Sequence, residues 1–202
     1  MSNLWELEED GWRRGYRFIC GVDEAGAGPL AGPLYAAAVI LPRYIELKWL
    51  NDSKKVTPRR RDILYEEIMA QALAASVVSV EEAVIDEINI LNARMLAMER
   101  AVVGLNPPSD YALIDGNYDK GISFPHEVAV GGDARSASIA AASILAKVSR
   151  DRYMEEMAEK YPEYGFERHK GYPTKLHYAM LDRYGPCPIH RKTFLKKWEA
   201  GR

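Results

Sequence analysis

Residues 17–42 read RFICGVDEAGAGPLAGPLYAAAVILP. The two ends of this stretch are β-branched and apolar, and its middle is glycine, alanine and proline. From Arg17 to Gly26 and again from Leu34 to Leu41 the residues favour strands, and the connection carrying Pro29, Gly32 and Pro33 makes them a hairpin-like pair. Asp23 and Glu24 close the first run. Side chains alternate between the faces of a strand, so Asp23 falls on the side of Ile19 and Gly21, where an unpaired carboxylate is expensive to bury. Two acids at that position call for something that compensates them.

Moving outward, Leu73 to Val80 reads as another strand, preceded by a helix from Pro58 to about Met69 with proline in its first turn. Ile85, Ile88, Leu91, Met95, Met98 and Val102 recur at helical spacing between Val84 and Leu105, a stripe that belongs in a core. Tyr111 to Ile114 and Glu127 to Val130 read as short strands, ending at Asp115-Gly116 and Gly131-Gly132. Asp133 then opens a long helix whose small residues allow close packing on a sheet. Interleaved strands and helices give an α/β architecture with a mixed sheet. Beyond Pro162 the chain turns basic and aromatic, so residues 1–165 are expected to form the main domain and residues 166–202 a basic helical extension.

The chain has 202 residues, 48% of them hydrophobic, enough for one packed domain. Its apolar runs are far short of the roughly 20 residues that span a bilayer. The acidic N-terminal segment lacks the order of a secretory signal, and Cys20 and Cys187 lack Cys-x-x-Cys spacing, so a cytoplasmic location with unpaired thiols is expected. The net charge of −2 conceals a split: residues 166–202 carry nine Lys/Arg against three Asp/Glu. A second basic cluster lies in NDSKKVTPRRRD, residues 51–62. Basic segments around an acidic pocket suit a phosphate backbone whose scissile bond needs metal.

In α/β sheets, ligands gather where strand ends meet helix starts, and Asp23, Asp115 and Asp133 all occupy such positions. Singly, each has an ordinary account: Asp115-Gly116 is a good turn, Asp133 a good helix cap, and Glu24 a surface acid. Together they fit hard divalent cations, which take oxygen ligands. Two such ions about 3.5–4 Å apart can activate water and stabilise a leaving oxygen. His126, His169, His177 and His190 lack metal-ligand spacing on one helix, so no histidine or cysteine cluster is expected to compete. The glycine-rich GAGPLAG is weak evidence for a phosphate cradle.

The segments GVDEAGAGPLAGP, LNDSKK, LIDGN, GGDARSASIAAASILAKVSRDR, YGFERHKGYPT and HRKTF together closely resemble bacterial ribonuclease HII, in order and across nearly the whole chain. The resemblance implies a ribonuclease H-like mixed β-sheet flanked by helices, with a small helical C-terminal extension. It implies endonucleolytic hydrolysis of the RNA strand of RNA/DNA hybrids and incision 5′ of ribonucleotides embedded in duplex DNA, leaving 3′-hydroxyl and 5′-phosphate ends. Two Mg²⁺ or Mn²⁺ ions would serve as cofactors.

Carried over by that resemblance, the acidic quartet is Asp23, Glu24, Asp115 and Asp133, with Asp23 bridging both ions. Gly26, Ala27 and Gly28 match the loop whose backbone senses the 2′-hydroxyl, which is what distinguishes RNA from DNA. Tyr172 matches a tyrosine packed on the sugar at the RNA-to-DNA junction, and Ser53, Lys54 and Lys55 match phosphate contacts. One residue departs from the pattern: the family motif usually reads Gly-Arg-Gly, and Ala27 stands in the middle here. The C-terminal RKTFLKKWEAGR lacks the paired aromatics and glutamine of a sliding-clamp peptide, so a monomer without that partner is expected. The rival readings are a catalytically weak hybrid-binding protein and another carboxylate-metal nuclease of the same fold.

Overall fold

The computed structural model describes residues 3–50 and 56–201. Helix α1 (Glu6–Arg13) leads into strands β1 (Ile19–Ala25) and β2 (Leu34–Ile40). Helix α2 (Pro58–Gln71), strand β3 (Ala74–Val80) and helix α3 (Glu82–Val103) follow, then strands β4 (Tyr111–Asp115) and β5 (His126–Ala129). The long α4 (Ala137–Lys160) precedes α5 (Phe166–His169), α6 (Lys175–Tyr184) and α7 (Lys192–Ala200). The sheet order is β3-β2-β1-β4-β5. β1 pairs antiparallel with β2 and parallel with β4, so the sheet is mixed, as the hairpin and the later strands predict.

Alternation along β1 sorts the core into two layers. Cys20 and Val22 join Leu34, Ala36 and Ala38 against Met95 and Met98 of α3. On the opposite face Ala37 and Val39 pack with Leu64 and Ile68 of α2 and with Ala141, Ala142 and Leu145 of α4. α4 lies so close to β1 that a Cβ on Gly21 would stand 2.0 Å from the backbone of Ser138 and Ile139. No side chain fits there, which is the physical reason for glycine in the middle of a strand.

Three local features differ from the sequence reading. The acidic N-terminal segment forms α1, whose buried Glu8 accepts hydrogen bonds from Ser136 Oγ and the Ser138 N–H and so ties α1 to the start of α4. The periodic stretch from Val84 is two helices joined at Asn89, whose φ of 65° breaks the spiral. Its Oδ1 accepts the N–H groups of Leu91 and Asn92 and starts the second segment. Finally, Asp133 does not open the long helix. Ser136 is the N-cap, with Oγ accepting the Ile139 N–H at 3.0 Å, and Asp133 sits before it in a 3₁₀ turn, Gly132–Ala134.

Helices α5, α6 and α7 lie outside the sheet, as expected of a basic extension. They are nevertheless pinned to the β1–β2 connection. Arg191 is fully buried and donates to the carbonyls of Gly26, Ala27 and Gly32, while Arg150 of α4 donates to those of Ala31, Pro33 and Lys170. Two buried guanidiniums thus satisfy a glycine-rich loop that has no ladder of its own. Among the described residues, no helix is long and apolar enough to cross a membrane.

Candidate active site

The parallel register of β1 and β4 ends with Val22 beside Ile114. One residue further, Asp23 and Asp115 leave neighbouring strands at the same edge. Asp115 Oδ1 accepts the Gly132 N–H at 2.8 Å, which draws the turn carrying Asp133 onto the end of β4. That approach is tight, because a Cβ on Gly132 would meet Ile139 at 2.6 Å and Ala129 at 3.2 Å. Glu24 follows on β1, its own N–H donating to Asp23 Oδ1 at 2.7 Å. All four acids line one cavity of about 440 Å³, together with Gly26, Ala27, Gly28 and Tyr172. Tyr172 is 41% exposed, with the Arg150 guanidinium 5.7 Å from its ring centroid.

The electrostatics follow from this crowding. Desolvation, and then the charges of Glu24, Asp115 and Asp133, push the Asp23 carboxyl well above the usual range. Desolvation raises Glu24 too, against the pull of Arg94, whose Nη2 lies 2.7 Å from Glu24 Oε1. An enclosure that holds four acids near one another favours a cation. Among the described residues, no three His, Cys, Asp or Glu side chains stand close enough together to hold a metal ion as they are placed. One oxygen of Asp23, one of Asp115 and one of Glu24 each lie on a protein donor, the Glu24 N–H, the Gly132 N–H and the Arg94 guanidinium. The donor set is nonetheless all oxygen and strongly anionic, the chemistry that suits a hard divalent ion.

Three residues of the site are absent from the sequence reading. Ser143 and Lys147 line the cavity from α4 and share a face at i, i+4 spacing. Lys147 hydrogen-bonds Asp151, and burial lowers its ammonium from the ordinary lysine range. The i, i+4 pattern was a readable signal, but no motif singled it out. Arg94 comes from the opposite layer, and nothing in its local sequence marks it. Ser53, Lys54 and Lys55 lie outside the described residues.

The histidines do not share one helix, yet separate segments bring His169, His177, His190 and Cys187 together beneath Tyr172; among the described residues they form no group that could hold a metal. His169 and His177 stack with centroids 4.4 Å apart, and His177 Nε2 lies 2.9 Å from His190 Nε2.

A family model described as ribonuclease HII matches residues 20–197. Ribonuclease HII of Caldicellulosiruptor bescii is 54% identical over 195 residues, covering 96% of this chain and 95% of the relative. Ribonuclease H2 from Pyrococcus horikoshii OT3 superposes with a TM-score of 0.76 at 27% identity, covering 92% of this chain and 98% of that one. The structure of a PCNA:RNase HII complex from Archaeoglobus fulgidus matches with a TM-score of 0.75 at 25% identity, over 87% of this chain and 94% of that one.

Proposed function

Because this chain belongs to the ribonuclease HII family, and is therefore an endonuclease that acts on RNA/DNA hybrids, we propose that Asp23, Glu24, Asp115 and Asp133 are its catalytic and metal-holding residues. The observation that carries this reading is the meeting of Asp23 and Asp115 at the end of the parallel β1/β4 pair, with the Asp133 turn hydrogen-bonded onto Asp115. Mg²⁺ or Mn²⁺ would be held by these carboxylates. Bound there, such ions would supply a water nucleophile at neutral pH and charge stabilisation for the leaving 3′-oxygen.

The chain's own residues do the rest. Asp23 and Glu24 keep the site anionic and draw in the cation, while Arg94 holds Glu24 on the rim. Arg191 fixes the carbonyls of Gly26 and Ala27 on its own side. In a trans peptide the N–H points opposite to the C=O, so the N–H groups of Ala27 and Gly28 are turned away from Arg191, free to test for a 2′-hydroxyl. Tyr172 offers a ring face to the adjoining sugar.

The substrates on this reading include both long hybrids and duplex DNA with single ribonucleotides, cut on the 5′ side. Ser53 and Lys54 are proposed phosphate contacts. Residues 1–165 are assigned as the catalytic domain and residues 166–202 as the basic extension. We place the protein in the cytoplasm as a monomer that works without a sliding clamp, in keeping with free thiols at Cys20 and Cys187.

The test is gel analysis of a duplex with one ribonucleotide beside a long hybrid, with Mg²⁺ or Mn²⁺ and then with chelator. Incision 5′ to the ribonucleotide, lost with chelator and in Asp23→Asn, is expected. Undiminished cleavage by the Asp23→Asn protein would overturn the site assignment.

A further inference from the structure

Three buried histidines beneath Tyr172 take no part in the reactions described so far. His177 is fully buried, and His190 and His169 are nearly so. His190 Nδ1 receives the backbone N–H of Cys187 at 2.9 Å, with the Cys187 thiol 3.1 Å away. An amide N–H can only donate, so this nitrogen carries the lone pair and the ring proton resides on Nε2. That proton points at His177 Nε2, 2.9 Å away, which must then accept. The remaining proton of His177 is on Nδ1, 3.0 Å from the Tyr172 carbonyl oxygen, which can only accept. Both ends of the chain are fixed, so every link between them is fixed as well.

The opposite arrangement fails at both ends. A proton on His190 Nδ1 would face the Cys187 N–H at 2.9 Å, a group that can only donate, and would leave that N–H without its acceptor. At the other end a lone pair on His177 Nδ1 would face the lone pairs of the Tyr172 oxygen. A proton on both rings would set two N–H groups against each other. Burial lowers both imidazoles to about 4, which keeps them neutral at physiological pH.

We propose that His190 and His177 form a neutral, directionally ordered hydrogen-bond wire that positions Tyr172 against the substrate. They are positioning residues: neither lines the cavity, and they act through the Tyr172 backbone, whose N–H is held in turn by the His169 carbonyl at 2.8 Å. The preceding Gly171 carbonyl accepts the Leu30 N–H of the β1–β2 connection at 2.8 Å, so the wire also sets Tyr172 relative to the loop that carries Gly26 to Gly28. This inference rests on the reading of Tyr172 as a substrate contact.

Two measurements test it. Nitrogen-15 NMR of the histidine rings of the full chain at pH 7.5 should show His190 protonated on Nε2 and His177 on Nδ1. Reversed tautomers, or a doubly protonated ring, would overturn the wire. In steady-state cleavage of a duplex with one ribonucleotide, His177→Gln retains a group near the Nε2 position but loses the donor to Tyr172. It should raise KM about tenfold, the scale of one lost hydrogen bond, with kcat within about twofold. His177→Asn places its amide nitrogen near Nδ1 and should stay within about threefold of the parent KM. In a Tyr172→Ala background, His177→Gln should add nothing further.

Equal effects of Asn and Gln, or additivity with Tyr172→Ala, would overturn the proposal while leaving Tyr172 as a substrate contact. An unchanged KM in Tyr172→Ala alone would overturn that contact and the positioning role together. Should His177→Gln fail to fold, the ring tautomers of the unsubstituted protein still decide the question.

Discussion

Arg94 Nη2 stands 2.7 Å from Glu24 Oε1, so a cation from the second segment of α3 reaches the rim of the acidic cavity through Glu24, which shares the α3-facing side of β1 with Cys20 and Val22. Its Nε is buried without a hydrogen-bond partner among the described residues. A guanidinium this close supplies part of the positive charge that the acids need. It also competes with any cation that Glu24 would help to hold.

Replacing that guanidinium should therefore favour metal. Arg94→Gln removes a unit charge from the edge of the site, and Mn²⁺ should bind at least about threefold tighter, as read by calorimetry or by electron paramagnetic resonance. Weaker binding would mean that Arg94 serves chiefly to orient Glu24.

Asp23→Asn should separate stability from activity. The carboxylate is desolvated and faces three like charges, whereas asparagine keeps an oxygen for the Glu24 N–H. In chelator the variant should melt several degrees higher, since about 1 kcal/mol corresponds to roughly 2–4 °C in a chain of this size. Cleavage should fall by about a thousandfold or more, a loss of roughly 4 kcal/mol of transition-state stabilisation. Calorimetry and initial rates on the same preparation read both.

Acid should loosen the C-terminal helices through the histidine pair. His177 and His190 sit near 4 when folded, against about 6.5 in an unfolded chain. Their folded values are lowered, so the stability they contribute is complete above about pH 6.5 and lost as pH falls toward 4. Glu8, Asp23 and Glu24 are raised and act with the opposite sign, gaining stability as pH falls. Comparing Tm from pH 7.5 to 4.5 with that of a His177→Asn/His190→Asn protein isolates the histidines. The double variant should start lower and decline less.

Gly21→Ala tests how closely α4 approaches the sheet. The added carbon would sit 2.0 Å from backbone atoms that cannot move without shifting the helix. A fall in Tm of about 10 °C or failure to fold is expected, as for severe overpacking. A near-neutral result by thermal melting would mean that α4 sits further from β1.

Ala27→Arg restores the residue usual in the family motif at a position that lines the cavity. One more phosphate contact should tighten substrate binding and steepen the dependence of log K on log salt by about one unit. Filter binding to a hybrid across a salt series gives the slope. An unchanged slope would show that this side chain meets no phosphate.

Much of the fold was legible along the chain because its signals are short-ranged. β-branched, apolar composition and the proline-glycine connection mark β1 and β2 to within two residues at each end, and Pro58 marks the start of α2. The acids Asp23, Glu24 and Asp115 were visible as carboxylates that close apolar runs, and the order of six motifs tied them to a family. Where two local signals competed, the reading slipped. Asp133 follows two glycines and makes a plausible cap, yet Ser136 takes that role, because the Gly132 N–H is drawn to Asp115 and holds the intervening residues in a separate turn.

Spacing and residue type thus told from the linear chain where most strands and helices run and which acids close the strands at the edge of the sheet. They could not tell that Arg94 would face Glu24, that Arg191 would hold the Gly26–Gly32 connection from as far as 165 residues away, at the Gly26 carbonyl, or that His177 and His190 would meet beneath Tyr172. Those pairings come from segments with no sequence relation to one another. They arise once helix packing and strand register bring the segments within the 3 Å or so over which a hydrogen bond or ion pair is formed.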